Sequence, residues 1–200
     1  KQQMGWTQEQ KTAVWTEIVL EKICNQAKTL VENGHESEAA MLTGYMRELV
    51  PGDETNREGH AAKVYFNALF GKNFSRGQEN PINAALNYGY GLILSAFNRE
   101  VTLCGYLTHI GLCHDNMFNP YNLSCDMMEP FRAIVDRKVI DIAPIEFGKK
   151  EKQELLGILH SPVRIAGTEQ TVMNAVKIYS RSVFEAIELS DADRLNFIEL

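Results

Sequence analysis

An all-α fold, a helical bundle around one core, is predicted from three features of the chain. Apolar residues recur at helical spacing through most of its length, and helix caps and glycine or proline stops fall at the ends of those runs. A single short piece, SPVRIAG at residues 161–167, reads as strand or hairpin. With 200 residues and 44% apolar content there is enough chain for one sizeable core, and no composition shift divides it into two domains.

Thr7 and Gln10 form a capping-box pattern, and Val14, Ile18, Ile23, Ala27 and Leu30 follow at helical spacing until Gly34 offers a stop. A second helix is expected from about Glu36 to Leu49, closed by the turn PGDETN. Asn56 can cap a third helix, REGHAAKVYFNALF, which ends near Gly71. Residues 72–81 read as a polar loop. The apolar segment 82–97 and the following VTLCGYLTHIGL read as the helical core, although the run at 84–97 is shorter than the ~20 residues of a membrane span. MMEPFRAIVDRKVIDIA keeps helical periodicity with a kink expected at Pro130, because proline lacks the N–H and crowds the preceding turn. Residues 147–160 form a short charged helix, and Thr168 is expected to cap an amphipathic helix reaching about Leu189.

The net charge of −6 argues against gripping nucleic acid by bulk charge, so a local basic path or a metal would be needed. Residues 1–15 carry no continuous hydrophobic segment of signal-peptide type, and four cysteines without regular spacing fit a reducing cytoplasm. The stretch GLCHDNMFNPYNLSCDMMEPFR, residues 111–132, gathers His114, Asp115, Asp126, Glu129 and three asparagines between apolar segments. On a helix Asp126 and Glu129, three residues apart, lie on one face, where paired carboxylates repel unless a cation or proton intervenes. Glu58, in the first turn of its helix, could join them. Oxygen ligands with one histidine suit Mn2+ or a catalytic Mg2+ site, and phosphoester chemistry is the usual employment of such sites. The plainer alternative is a solvated helix face and a satisfied loop histidine.

The segments WTEIVLEKICNQA (15–27), EGHAAKVYFNALFG (58–71), INAALNYGYGLILSA (82–96) and LCHDNMFNPYNLSCDMMEPFRAIVD (112–136) resemble, in order and spacing, the helical domain of the CRISPR-associated integrase that acquires new spacers. The NP-x-NL spacing and MEPFR look most like its type II branch. The resemblance implies that Glu58, His114 and Glu129 hold Mg2+ or Mn2+, with Asp126 as a neighbouring acid that could share the metal. It implies transesterification, a DNA 3′-hydroxyl attacking a repeat phosphodiester, and partners in double-stranded DNA, a second copy of the chain and a small companion adaptation protein. Relatives also carry an N-terminal β-rich domain, so this chain is expected to be the catalytic helical domain of a longer protein.

Arg57, Lys63, Arg76, Arg132, Arg137 and Lys138 are candidate phosphate contacts, each with the plainer reading of a surface charge. His114 and Asp115 also spell the HD dipeptide of metal-dependent phosphohydrolases, with His60 or His109 as further ligands. A non-catalytic helical scaffold is the third reading. A cysteine zinc site is disfavoured by the spacings, and the cysteines are expected to be buried free thiols; Tyr65, Phe66, Tyr88 and Tyr90 are expected in the core.

Overall fold

The structure is a computed structural model and describes residues 3–200. Its helices are α1 (Gln8–Glu32), α2 (Glu36–Arg47), α3 (Arg57–Phe70), α4 (Pro81–Leu103), α5 (Asn122–Met127), α6 (Arg132–Ile142), α7 (Lys149–Leu156) and α8 (Val172–Leu189). A small antiparallel sheet of β1 (Pro162–Ile165), β2 (Thr168–Thr171) and β3 (Ile198–Glu199), in the order β2-β1-β3, packs beside α8. The mainly helical class expected from periodicity is what is observed. None of the helices is long and apolar enough to cross a membrane among the described residues.

α1 runs through the middle, touching α2, α3, α6 and α8. Its start is the expected capping box, Thr7 Oγ1 accepting from Gln10 N (3.2 Å) and Gln10 Oε1 accepting from Thr7 N (2.8 Å). Its end is a Schellman motif, with Gly34 in the left-handed region (φ 78°) and His35 N donating to Leu30 O at 2.9 Å. Val14, Trp15, Ile18, Val19, Ile23 and Leu30 are buried in one core with Leu86, Ile93, Phe97 and Val101 of α4. Phe97, Phe131 and Tyr179 interlock edge-on and tilted, with centroids 5.2–6.0 Å apart, and join α4, the turn before α6 and α8.

Four expectations need correction. VTLCGYLTHIGL is not a helix beyond Leu103: Gly105 (φ 83°) lets Tyr106 N reach Val101 O (3.1 Å), a second Schellman stop, and residues 104–121 continue as an irregular loop. α2 ends at Arg47 rather than Leu49. Thr168 does not cap the last helix, because Ala166 (φ 50°) and Gly167 (φ 72°) make the two-residue turn of a hairpin and place Thr168 opposite Ile165. Thr171 caps α8 instead, its Oγ1 accepting from Asn174 N at 3.2 Å. β3, two residues long, is too short to leave a periodic signal.

Pro130 acts as expected and more: α5 stops at Met127, Glu129–Phe131 form a 3-10 turn, and α6 restarts at Arg132. The Pro130 carbonyl, just ahead of α6, accepts from Asn25 Nδ2 of α1 at 3.2 Å, which pins the kink to the central helix. Close packing of α4 on α6 depends on Gly89, where a Cβ would overlap Val135 Cγ1. Gly89→Ala is therefore expected to lower unfolding free energy by ~1–3 kcal/mol despite the better helix propensity of alanine. In denaturant titrations the double variant Gly89→Ala/Val135→Ala should be more stable than Val135→Ala alone, because the new methyl fills the vacated space.

Candidate active site at the junction of α1, α3 and the Pro130 kink

The first turn of α3 is held by two caps. Asn56 Oδ1 accepts from Gly59 N (3.3 Å), and the Asp53 carboxylate accepts from Arg57 N (2.7 Å) and Glu58 N (2.9 Å). This fixes the backbone of Glu58, whose Oε1 meets Lys22 Nζ of α1. Glu129 reaches the same ammonium from the 3-10 turn, and Arg132 Nε donates to its Oε2 at 2.8 Å. Two carboxylates from separate elements thus converge on one buried cation. Burial opposes charge at Glu129, yet Arg132 and Lys22 outweigh it and hold its carboxyl well below the usual range. Burial likewise disfavours the Lys22 ammonium, and Glu129 and Glu58 outweigh it to raise its pKa.

Asp126 has a different task from Glu129. The two lie in adjoining elements, Asp126 in α5 and Glu129 at the start of the 3-10 turn, and take different partners. The fully buried Asp126 carboxylate sits at the centre of the loop turn, accepting from Leu112 N (2.6 Å), Cys113 N (3.0 Å) and His114 N (3.3 Å), and bonds His114 Nδ1. Gly111 permits this approach, since a Cβ there would overlap His114 O and lie 2.7 Å from Asp126 Oδ2. Asn122 Nδ2 donates to His109 O and Asn116 O, each at 3.0 Å, and Thr108 Oγ1 to Pro120 O at 2.7 Å. The concentration of polar residues in 111–132 is largely the stapling of this loop. The bond to Asp126 raises the His114 pKa above 6.5, against its partial burial, and Glu129 and Glu58 add to the effect. With Nδ1 engaged, neutral His114 presents the lone pair of Nε2. A cavity of about 610 Å³, lined by Lys11, Trp15, His109, His114, Asp115 and Asn119 among others, opens beside the ring.

Glu58 and Glu129 are brought together through Lys22, and His114 lies near enough to feel both charges. Among the described residues, no three or more His, Cys, Asp and Glu side chains are grouped closely enough to hold an ion. Apolar periodicity alone does not single out Lys22, which occupies the 15-18-22-25-29 seam of α1 with Trp15, Ile18, Asn25 and Thr29. A lysine in an otherwise buried seam was the available signal. Of the candidate phosphate contacts, Arg57 pairs with Glu48, Arg132 with Glu129, Arg137 with Glu32 and Lys138 with Glu154. Arg76 bonds Asn83 and Asn87 and lies over the Phe66 and Tyr90 rings. Lys63 is exposed and outside every ion pair among the described residues.

Asp115 is exposed and makes no side-chain hydrogen bond or ion pair among the described residues; His60 lies tilted against Tyr45, with centroids 6.1 Å apart. The four cysteines are free, but Cys113 is exposed and the others half-buried, so the expectation of buried thiols is corrected. Burial, with Asp126, Glu58 and Asp53 nearby, pushes the Cys113 thiol to about 11. Tyr65 and Tyr90 are core residues as expected, whereas Phe66 and Tyr88 are half-buried against the core.

The helical architecture recurs in solved structures. A partial Cas6-RT-Cas1–Cas2 complex superposes with a TM-score of 0.79 at 18% identity, over 96% of this chain and 70% of that one. A Cas1 protein from Thermotoga maritima gives 0.76 at 18% identity, over 92% and 67%. A casposase bound to integration product gives 0.68 at 19% identity, over 92% and 65%. Residues 1–152 match the family described as CRISPR associated protein Cas1. The CRISPR-associated endonuclease Cas1 of Neisseria meningitidis serogroup C is 35% identical over 205 residues, which take in all of this chain and 67% of that protein. A Francisella tularensis subsp. novicida Cas1 is 27% identical over 80% of this chain and 58% of its own length. The chain belongs to the Cas1 family.

Behind the site, Tyr65 of α3 donates to Asp136 Oδ2 (3.0 Å), Tyr90 of α4 bonds Asp136 Oδ1, and Arg132 lies over the Tyr90 ring at 4.6 Å. Burial pushes the Asp136 carboxyl up to about 6 from 3.8, although both tyrosines favour the charged form. A raised carboxyl pKa means that its stabilising contribution is complete below the unfolded value and lost as pH rises through the folded value. Asp136→Asn removes this titration. The stability of wild type minus that of Asp136→Asn should fall by up to ~3 kcal/mol between about pH 4 and 7, measured by denaturant unfolding. A difference that stays constant with pH would show that Asp136 keeps an ordinary pKa.

Proposed function

We propose that the chain carries the catalytic centre of a divalent-metal-dependent DNA integrase and endonuclease of CRISPR adaptation. One observation carries the reading: Glu58 of α3 and Glu129 of the 3-10 turn meet at a single cation, near an imidazole oriented by a buried aspartate. Carboxylate oxygens with one imidazole nitrogen suit Mg2+ or Mn2+, and the Lys22 ammonium already stands as positive charge where the carboxylates converge. By its chemistry the donor set suits such an ion, and Glu58, Glu129 and His114 Nε2 are the residues that would hold it, with the Lys22 ammonium standing between the carboxylates and the three side chains not grouped around a common point. Its bound form would acidify a hydroxyl and neutralise charge developing at phosphorus.

The remaining roles belong to the chain itself. Asp126 holds the His114 tautomer and ring orientation, acting as a positioning residue because its carboxylate is committed to three backbone N–H groups. Arg132 fixes Glu129, and the caps of α3 fix Glu58. In the joining reaction a DNA 3′-oxygen loses its proton and forms a bond to phosphorus at the edge of a repeat. The bond from phosphorus to the 3′-oxygen of the flanking strand breaks, and that oxygen leaves with a proton. Water in place of the 3′-hydroxyl gives strand cleavage. Double-stranded DNA is the substrate class, Lys63 is the candidate phosphate contact left without an ion pair or side-chain hydrogen bond among the described residues, and a second copy plus a small companion protein would space the two attacks. The names of the relatives as Cas1 endonucleases, and of structural neighbours as a Cas1–Cas2 complex and a casposase with integration product, support this reading.

Strand transfer into a repeat-containing plasmid, by the intact protein with its companion adaptation protein, separates this reading from the HD hydrolase. Glu129→Ala should lose at least the ~10 to 100-fold typical of an outer-shell change, and Asp126→Asn should fall within that range. Asp115→Ala should stay within about twofold, since it is an exposed turn residue. Thermal melting run alongside identifies unfolded variants. A folded, inactive Asp115→Ala with a fully active Glu129→Ala would replace the integrase assignment by the HD one, and failure of the intact protein to bind Mn2+ would favour a non-catalytic scaffold.

A further inference from the structure

We propose that Lys22 is the resident cation of the carboxylate pair: it holds Glu58 and Glu129 convergent before a divalent ion arrives, and it competes with that ion for them. The inference rests on the reading of those two acids as ligands. Lys22 is 7% exposed, and a lysine is almost never buried unless its charge is paired. Both partners of its Nζ are carboxylates, and they come from elements far apart in the chain, at positions 58 and 129. Without a cation between them, the buried Glu129 and the Glu58 carboxylate would repel across a region of weak screening. Arg132 does not replace Lys22 in this role, because it reaches Glu129 only; its other close group is the Tyr90 ring.

The seam position of Lys22 makes the placement stiff. One turn before it lies Ile18, fully buried; three residues beyond it Asn25 bonds the Pro130 carbonyl, the residue next to Glu129. The ammonium and the Glu129 backbone are thus referenced to each other through α1. A divalent ion coordinating the same pair would stand close to the ammonium, and two cations there repel. Removing the ammonium should therefore have opposite effects on the two states, destabilising the metal-free protein and favouring the ion-bound one. An ordinary structural salt bridge would show only the first effect.

The test uses the intact protein with Mn2+ alone as probe, read by calorimetric titration, by the electron paramagnetic resonance of free Mn2+, and by melting with and without the ion. Lys22→Met should melt lower than wild type without metal, show a larger upward shift on adding Mn2+, and bind Mn2+ at least about tenfold more tightly. Lys22→Arg, which keeps the charge, should remain near wild type in all three. Should Lys22→Met fold only in the presence of Mn2+, that is the same outcome expressed as stability. Unchanged or weaker Mn2+ binding by Lys22→Met, or failure to fold even with Mn2+ present, overturns the competition. If wild type binds Mn2+ but Glu58→Gln and Glu129→Gln leave binding unchanged, the ligand assignment itself fails, and this inference goes with it.

Discussion

Ionised groups withdrawn from water must find opposite charge or hydrogen bonds, and the site side of this bundle is organised by that constraint. α1 places Lys22, Asn25 and Thr29 in its buried seam where a simpler helix would carry leucine. Lys22 is answered by Glu58 and Glu129, the Asn25 Nδ2 by the Pro130 carbonyl, and the Thr29 hydroxyl by the Asn25 carbonyl, while Asn25 Oδ1 is left without a partner among the described residues. The kink, the start of α3 and the central helix are mutually positioned by these polar contacts, while the apolar core beneath supplies most of the burial. The arrangement gives up some stability relative to an all-apolar seam, because even a paired buried charge rarely outweighs a well-packed hydrophobic group.

A second polar centre is laid over this one. Asp126 draws the backbone of residues 112–114 around its carboxylate, and in doing so delivers the His114 ring with a defined tautomer toward the acids. The carboxylates at 126 and 129 thus divide the work: one organises the loop, the other remains on Lys22 and Arg132. Behind them, Tyr65, Tyr90 and Asp136 bind α3, α4 and α6 together, and the Tyr90 ring carries the Arg132 guanidinium above it. Two shells of polar contact therefore support Glu129, which is how a group destined for a demanding charge environment is kept in one rotamer.

Much of this was legible along the chain because its causes are local. The capping box at Thr7 and Gln10, the Asn56 cap, the kink at Pro130 and the stop at Gly34 all depend on residues within one or two turns of each other. The misread positions had local signals too, but of a kind that apolar periodicity drowns. Gly105 ended a helix in the middle of VTLCGYLTHIGL, and the left-handed pair Ala166-Gly167 moved the cap of the last helix from Thr168 to Thr171. The candidate phosphate contacts failed to separate for another reason: pairing of Arg137 with Glu32 spans 105 residues, and nothing near Arg137 announces it.

By itself, then, the sequence determined the helical class, most element boundaries, the family, and the short set of acids and histidine worth attention, since periodicity, caps and motif order are properties of neighbours in the chain. The tertiary structure alone decided what those acids do. Asp126 and Glu129 look equivalent at a spacing of three residues, and only the arrival of the loop at one and of α1 at the other gives them different partners. Lys22 belongs wholly to that second category: a charge 36 residues from Glu58 becomes part of its site because folding buries the ammonium and brings the half-buried carboxylate against it.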